Sequence, residues 1–358
     1  MRIVCVVGTR PNIVKMAPVI GALRRRFEGS RIATVHTGQH YDRLMSEVFL
    51  EELGMPEPDH LLGVGSGSHA EQIARVLERF ERVLRDESPD LVLVPGDVNS
   101  TLGAALCAAE LGIPVGHVES GLRSFDRSMP EETNRIGTDH LSALCFLHSS
   151  EALENLRAEG VGEERMRFVG NTMIDTLVAL EPRIAERTAA ATVGVEPGSY
   201  LLVTLHRPAL VDGPLLSQAM SSLEAVAREL PVVFPVHPRT RKMLDGTTYE
   251  GVRLTDPLGY LDFLSLESEA AAVLTDSGGI QEETTYLGIP CFTLRDNTER
   301  PVTIRAGTNT LLGLDPARIR EIPSLLAARS AAPDGPAEGP ELWDGHAAQR
   351  VADVLADW

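Results

Sequence analysis

Short apolar runs rich in β-branched residues alternate with helix-like segments from one end of the chain to the other, and no other feature constrains the fold as strongly. The candidate strands of the first half are RIVCVVG, RIATVHTG, LVLVPGD, PVGHVE, CFLHSS and MRFVGN; those of the second are YLLVTLH, PVVFPVH, VRLTDP, AAVLTDS and PCFTLR. Strands separated by helices build parallel sheets with crossover connections, so the pattern predicts an α/β protein. Almost every run ends in a polar or glycine-containing loop, and that edge is where open α/β sheets bind ligands.

At 358 residues the chain exceeds what one hydrophobic core usually serves, so two domains are expected. A helix-like stretch from Ile174 to Thr192, followed by Val-Gly-Val-Glu-Pro-Gly-Ser, separates the two strand series. This places one doubly wound domain over residues 1–173 and another over 174–345, facing each other across a central cleft. A last helix, His346 to Trp358, follows the Pro/Gly-rich linker 332–340 and is expected to pack back onto the first domain.

The net charge of −18 argues against general affinity for nucleic acid or an anionic membrane. No apolar run approaches membrane-spanning length, and the N-terminus opens into a strand instead of a signal peptide, so a cytoplasmic protein is expected. Cys5, Cys107, Cys145 and Cys291 lie far apart within apolar segments; they read as buried free thiols, with no metal site or redox centre.

Chemistry concentrates at the strand ends. Gly8-Thr-Arg-Pro-Asn-Ile-Val-Lys-Met-Ala-Pro18 follows the first strand and opens a helix, offering backbone N–H groups, Arg10 and Lys15 to an anion; a simple capped strand–helix turn is the alternative. In Asp276-Ser-Gly-Gly-Ile-Gln-Glu-Glu283, two glycines let a phosphate approach a helix N-terminus, and Glu283 can hold a ribose diol. The alternative there is a turn capped by Asp276 or Ser277. Asp97, Glu119, His206 and His237 stand at the ends of other strands, where clustered acids would perturb one another by repulsion and burial. Asp126 is expected in a solvated ion pair with Arg123 or Arg127. Pro130 followed by Glu131 and Glu132 also fits an ordinary helix start whose acids complement the dipole.

Eight segments, GTRPNIVKMAPVI, TGQHYD, PGDVNST, GHVESGLRSFDRSMPEETNR, GNTMIDT, HPRT, DSGGIQEE and RDNTERPVT, run in order from residue 8 to 303. Together they resemble the non-hydrolysing UDP-N-acetylglucosamine 2-epimerase family. The resemblance implies two Rossmann-like domains of the glycosyltransferase-B type, a homodimer, no metal or redox cofactor, and interconversion of UDP-N-acetylglucosamine with UDP-N-acetylmannosamine. It also implies residue roles. Asp97, Glu119 and Glu131 become the proton-transfer candidates and His206 the assistant to the leaving phosphate, while Arg10, Lys15, Arg135, His237, Ser277, Gly278, Gly279, Glu283 and Arg300 hold UDP or the sugar.

Such residues suit the chemistry. The hydrogen on C2 of the hexose is not adjacent to a carbonyl carbon, so a carboxylate cannot remove it directly. Breaking the C1–O bond gives C1 oxocarbenium character and acidifies C2–H; UDP leaves a 2-acetamidoglucal, and reprotonation on the other face with return of UDP gives the epimer. Three alternatives stay open at this stage: a related UDP-aminosugar epimerase or hydrolase, a retaining glycosyltransferase of the same fold, and a non-catalytic nucleotide-sugar binder. Two departures from the family pattern stand out. His206-Arg-Pro-Ala-Leu210 replaces the usual His-Arg-x-Glu-Asn, and Gln39-His40 is followed by Tyr41-Asp42 where an activator site would read Gln-His-Arg-Gln.

Overall fold

The computed structural model describes residues 1–38, 49–244, 246–330 and 339–358, so the Gln39–Asp42 segment and most of the linker lie outside the described residues. The chain divides into two compact units, one of residues 1–179 with 341–358 and one of residues 180–340. The division falls between Ala179 and Leu180, within the helix Thr172–Ala185, whereas the sequence pattern suggested residues 173 and 174. The expected continuous helix over 174–192 is two, Thr172–Ala185 and Ala189–Val193.

The first unit is built on seven parallel strands: β1 (Arg2–Val7), β2 (Arg31–His36), β3 (His60–Leu61), β4 (Leu91–Pro95), β5 (Val115–Ser120), β6 (Leu144–Leu147) and β7 (Met166–Phe168). Their spatial order is β3-β2-β1-β4-β5-β6-β7. Every residue of β4 and β5 is buried, as the central strands of a parallel sheet covered on both faces must be. One face packs Val4, Val6, Val92 and Val94 against Val76, Phe80 and Leu84 of the helix His69–Glu87 and against the alanines of the helix Asn99–Glu110.

The second unit carries β8 (Leu201–Thr204), β9 (Val232–Pro235), β10 (Val252–Thr255), β11 (Ala272–Thr275), β12 (Cys291–Thr293) and β13 (Asn309–Leu311), all parallel, in the order β10-β9-β8-β11-β12-β13. Alternate residues serve opposite faces. Leu201 and Val203 join the cluster over the helix Pro214–Val226, while Tyr200 and Leu202 join a cluster with Ala190, Leu266 and Ala270. The edge strands β3 and β13, only two and three residues long, were not among the runs legible in the sequence.

Both sheets share one winding: the chain starts in the middle, moves outward through three strands, then returns across the start and continues the other way. The reversal lies between β1 and β4 in the first unit and between β8 and β11 in the second, which leaves a crevice at the strand C-termini of each. The segment from Glu341 onward belongs to the first unit, where the helix Ala347–Asp357 packs on the helix Arg10–Arg26. Asp175 caps it from a distance, Oδ1 accepting from the Ala347 amide at 3.0 Å and Oδ2 from that of Ala348 at 2.6 Å. All four cysteines are free and buried. Among the described residues no helix is long and apolar enough to cross a membrane.

Candidate active site

In the first unit the crevice is lined by the loops after β1, β4 and β5. The turn after β1 is closed by Asn12, whose Oδ1 accepts from Thr9 N at 3.3 Å and Thr9 Oγ1 at 3.1 Å, while its Nδ2 donates to the Pro95 carbonyl at 3.2 Å. The capped-turn alternative therefore describes the backbone here, and the same turn leaves Arg10 exposed, its guanidinium 5.9 Å from the ring of Phe49. Lys15 lies one turn deeper and is buried. Its Nζ sits 2.7 Å from Glu119 Oε1 and 2.6 Å from Oε2, a buried ion pair between residues 104 apart in sequence.

Glu119 ends β5 in the left-handed region, with φ +67°. Gly96 stands opposite in the turn after β4, also left-handed at φ +62°. A Cβ at Gly96 would meet Lys15 Nζ at 3.2 Å, Asn12 Nδ2 at 3.4 Å and Glu119 Oε1 at 3.9 Å, so a side chain there would crowd the pair as well as strain the left-handed backbone. Asp97 itself is gripped by Arg135, whose Nη2 is 2.5 Å from Oδ2, and the other guanidinium nitrogen donates to Glu132 Oε2 at 2.9 Å. The acids alternate with cations here instead of facing one another alone.

Glu131 and Glu132 both occupy the first turn of the helix Pro130–Leu141, with Pro130 at its start, yet they differ in use. Glu132 is buried and accepts from Ser124 N at 2.9 Å, Ser124 Oγ at 3.0 Å and Phe125 N at 2.9 Å, which fixes the preceding loop. Glu131 is half-buried and makes no hydrogen bond or ion pair among the described residues. Asp126 corrects the expectation from sequence: its Oδ1 accepts from Ser128 N and Oγ at 2.9 and 2.6 Å, closing a turn. Arg123 is buried and pairs with Asp139 and Glu159 instead, each at 2.7 Å. Asp139 is fully buried; desolvation pushes its carboxyl up, but His117 and Arg123 outweigh that and hold it below the usual range.

In the second unit the crevice receives the loops after β8 and β11. Asp276 Oδ2 accepts from the amides of His206 and Arg207 at 2.9 and 2.8 Å, and Oδ1 lies 3.1 Å from His206 Nδ1. The His206 backbone is thus anchored by a buried carboxylate, with the imidazole beside it and about half exposed (47%). Neither Asp276 nor Ser277 caps the following helix, Gly278–Leu287, with its side chain, so the first amides of that helix have no side-chain acceptor from the N-cap. The turn is therefore not capped by the side chain of Asp276 or Ser277. Arg300 lies against the helix start: a Cβ at Gly278 would meet its Nη1 at 2.5 Å. Glu282 and Glu299 hold that guanidinium at 3.0 and 2.9 Å. Glu283, four residues after Gly279, accepts from the Tyr260 hydroxyl at 2.8 Å. Burial pushes its carboxyl up to about 7, against the lowering effect of Tyr260. His237 is exposed at the end of β9, directly ahead of the helix Pro238–Met243.

Lys15, Asp97, Glu119 and Arg135 thus lie together around the turns after β1, β4 and β5, and Gly278 and Arg300 lie together at the start of the helix after β11, whereas His237 follows β9 and Glu131 sits on the helix after β5. Comparison with known proteins agrees on what such a pair of sites belongs to. A family model described as UDP-N-acetylglucosamine 2-epimerase matches residues 23–356. The chain belongs to the UDP-N-acetylglucosamine 2-epimerase family. A Methanococcus maripaludis protein of that name is 43% identical over 328 residues, 88% of each chain. A Pseudomonas aeruginosa UDP-2,3-diacetamido-2,3-dideoxy-D-glucuronate 2-epimerase is 38% identical over 363 residues, 99% of each. Among solved structures, a Methanocaldococcus jannaschii UDP-GlcNAc 2-epimerase in complex with UDP-GlcNAc and UDP superposes with a TM-score of 0.89 at 36% identity over the whole of both chains. With its two doubly wound parallel sheets, this epimerase-family chain has the glycosyltransferase-B type of fold.

Within the epimerase family frame, the departure at Ala209-Leu210 resolves into two different positions. Leu210 is buried in the apolar core of the second unit, and Ala209 is exposed on the short helix Pro208–Val211. Sequence reasoning missed Asp139, gave Asp276 only a capping role and Glu132 only a dipole role, and did not pair Lys15 with Glu119. For Asp276, Glu132, Lys15 and Glu119 the one signal available was their position in motifs already singled out, and Asp139 lies in none of them; nothing local in the sequence names their partners.

Proposed function

We propose that this family member interconverts UDP-N-acetylglucosamine and UDP-N-acetylmannosamine by eliminating UDP to 2-acetamidoglucal and adding it back. The observation that carries the reading is the packing of Lys15, Glu119 and the Gly96-Asp97 turn at the end of β4 and β5, with Glu131 on the next helix left without a partner among the described residues. In this reading Glu119, Asp97 and Glu131 exchange the C2 proton on the two faces of the ring. Lys15 is ion-paired with Glu119 and holds it in place, and Arg135 aims Asp97. His206, anchored by Asp276, assists the departing phosphate; Arg10, Ser277, Gly278, Gly279, His237 and Arg300 serve the diphosphate and uracil, and Glu283 the ribose. The expected enzyme is a cytoplasmic homodimer that needs no metal or redox cofactor.

A second reading keeps the reaction and changes the sugar. The Pseudomonas aeruginosa relative matches nearly the full length of both chains and is named for a diacetamido uronate, which favours a substrate with other groups at C3 and C6. Family membership gives no comparable support to a glycosyltransferase. Proton NMR of the purified protein with UDP-N-acetylglucosamine in deuterium oxide is the test. Deuterium at C2 of the recovered nucleotide sugar is expected; free N-acetylmannosamine, or no exchange, would exclude the proposal for this sugar. Glu119→Gln and Glu131→Gln should each lower turnover at least about 100-fold while UDP still binds.

A further inference from the structure

Glu119 occupies a left-handed backbone conformation (φ +67°), which is unfavourable for a residue with a side chain. Its strand slips register there: Val118 pairs with Phe146 and Ser120 with Leu147, leaving Glu119 as the extra residue of a bulge. Strain of this kind persists only where the surroundings over-determine it. The surroundings here converge on one carboxylate, that of Asp139 on the helix Pro130–Leu141.

Two residues before Glu119, His117 Nδ1 donates to Asp139 Oδ1 at 2.6 Å; two residues after it, Gly121 N donates to Asp139 Oδ2 at 3.1 Å. The same oxygen lies 2.7 Å from Arg123. One side chain therefore grips the strand on both sides of the strained residue. The grip extends to the neighbouring strand end, because His117 Nε2 donates to the Gly96 carbonyl at 2.7 Å, one residue before Asp97. His117 and Asp139 are both wholly buried, so neither touches a ligand in the crevice.

We propose that Asp139 is a positioning residue, which by holding His117 and Gly121 forces Glu119 out of the strand into its left-handed pose and, through His117, sets the Asp97 turn beside it. The proposal rests on the reading of Glu119 and Asp97 as proton-transfer groups. It is specific in kind. A group that only stabilised the fold would affect all binding and turnover alike, whereas loss of this brace misplaces the acids and leaves the nucleotide grip of the second unit intact.

The test compares wild type with Asp139→Asn, whose amide nitrogen cannot accept from Gly121 or His117, and with His117→Gln, which keeps the Gly121 arm. Three quantities are measured: kcat and KM for epimerisation, UDP affinity by calorimetry, and the fraction of turnovers that end in free UDP and glucal. For Asp139→Asn a fall in kcat of about 100-fold is expected, the size associated with a displacement of about 1 Å in a reacting group. KM and UDP affinity should stay within about twofold of wild type, and the released glucal fraction should rise because C2 reprotonation, which must accompany return of UDP to C1, is slowed relative to escape of glucal and UDP. His117→Gln should move kcat and the glucal fraction in the same direction by a smaller factor. Folded Asp139→Asn with wild-type kcat and glucal fraction overturns the proposal, as does a loss of kcat matched by equal loss of UDP affinity. If Asp139→Asn does not fold, His117→Gln decides, and wild-type kcat and partition in that variant overturn it. Absence of C2 exchange in the wild-type protein removes the functional reading and this inference with it; exchange in wild type with unaltered variants removes this inference alone.

Discussion

Residues of one type take opposite duties here according to what surrounds them. Glu131 and Glu132 are neighbours in one helical turn, but among the described residues only Glu132 is engaged, binding two amides, a hydroxyl and Arg135. Glu283 shows the environment acting on ionisation. Burial raises its carboxyl to about 7, so near neutrality a substantial fraction is neutral, and a neutral acid accepts a ribose diol less well than a carboxylate. A ligand that prefers the ionised form binds more tightly as pH rises through the free-protein value and gains nothing further above it. UDP affinity measured by calorimetry should therefore rise about tenfold from pH 6 to pH 8 beyond whatever rise Glu283→Gln shows over the same range. Equal slopes in the two proteins would exclude a ribose role for this carboxyl.

At the scale of elements, the site is made where a strand stops and a helix starts. Gly278 marks such a junction and has an identifiable reason to be glycine, since a Cβ would meet the Arg300 guanidinium at 2.5 Å. Arg300 can retreat only by loosening its contacts with Glu282 and Glu299, which hold it from two sides. Gly278→Ala is expected to push Arg300 off the helix start and weaken UDP binding by about tenfold or more, equivalent to one charge-assisted hydrogen bond. Because Glu282 and Glu299 are buried, displacing Arg300 from them should lower the melting temperature as well, so UDP calorimetry is read well below the variant's melting transition to separate a site effect from a folding one.

For the whole molecule, the C-terminal segment ties the last residues to the first unit. Trp343 Nε1 donates to the His148 carbonyl at 2.9 Å, and Asp175 accepts from the first two amides of the helix Ala347–Asp357. Burial raises the Asp175 carboxyl to about 6, more than the two amide bonds lower it. The folded state thus binds this proton more tightly than the unfolded chain. The group's stabilisation is complete below the unfolded value and is lost as pH rises through about 6. Asp175→Ala should open that helix to amide hydrogen exchange by about 1–3 kcal/mol, with a wider gap from wild type at pH 5 than at pH 7.5. The sequence by itself determined the succession of parallel strands, the polar strand ends and the family motifs, because strand periodicity, glycine turns and helix starts are written within a few residues of one another. It did not reveal the edge strands β3 and β13, of two and three residues, which are too brief for a period to register and, unlike β7, lie in no longer apolar run read from the sequence. Only the tertiary structure decided that Lys15 answers Glu119 across 104 residues, that Asp276 anchors His206 across 70, and that Asp139 braces the bulge. Those pairings depend on strand order and on a one-residue slip in register, and no local pattern carries either.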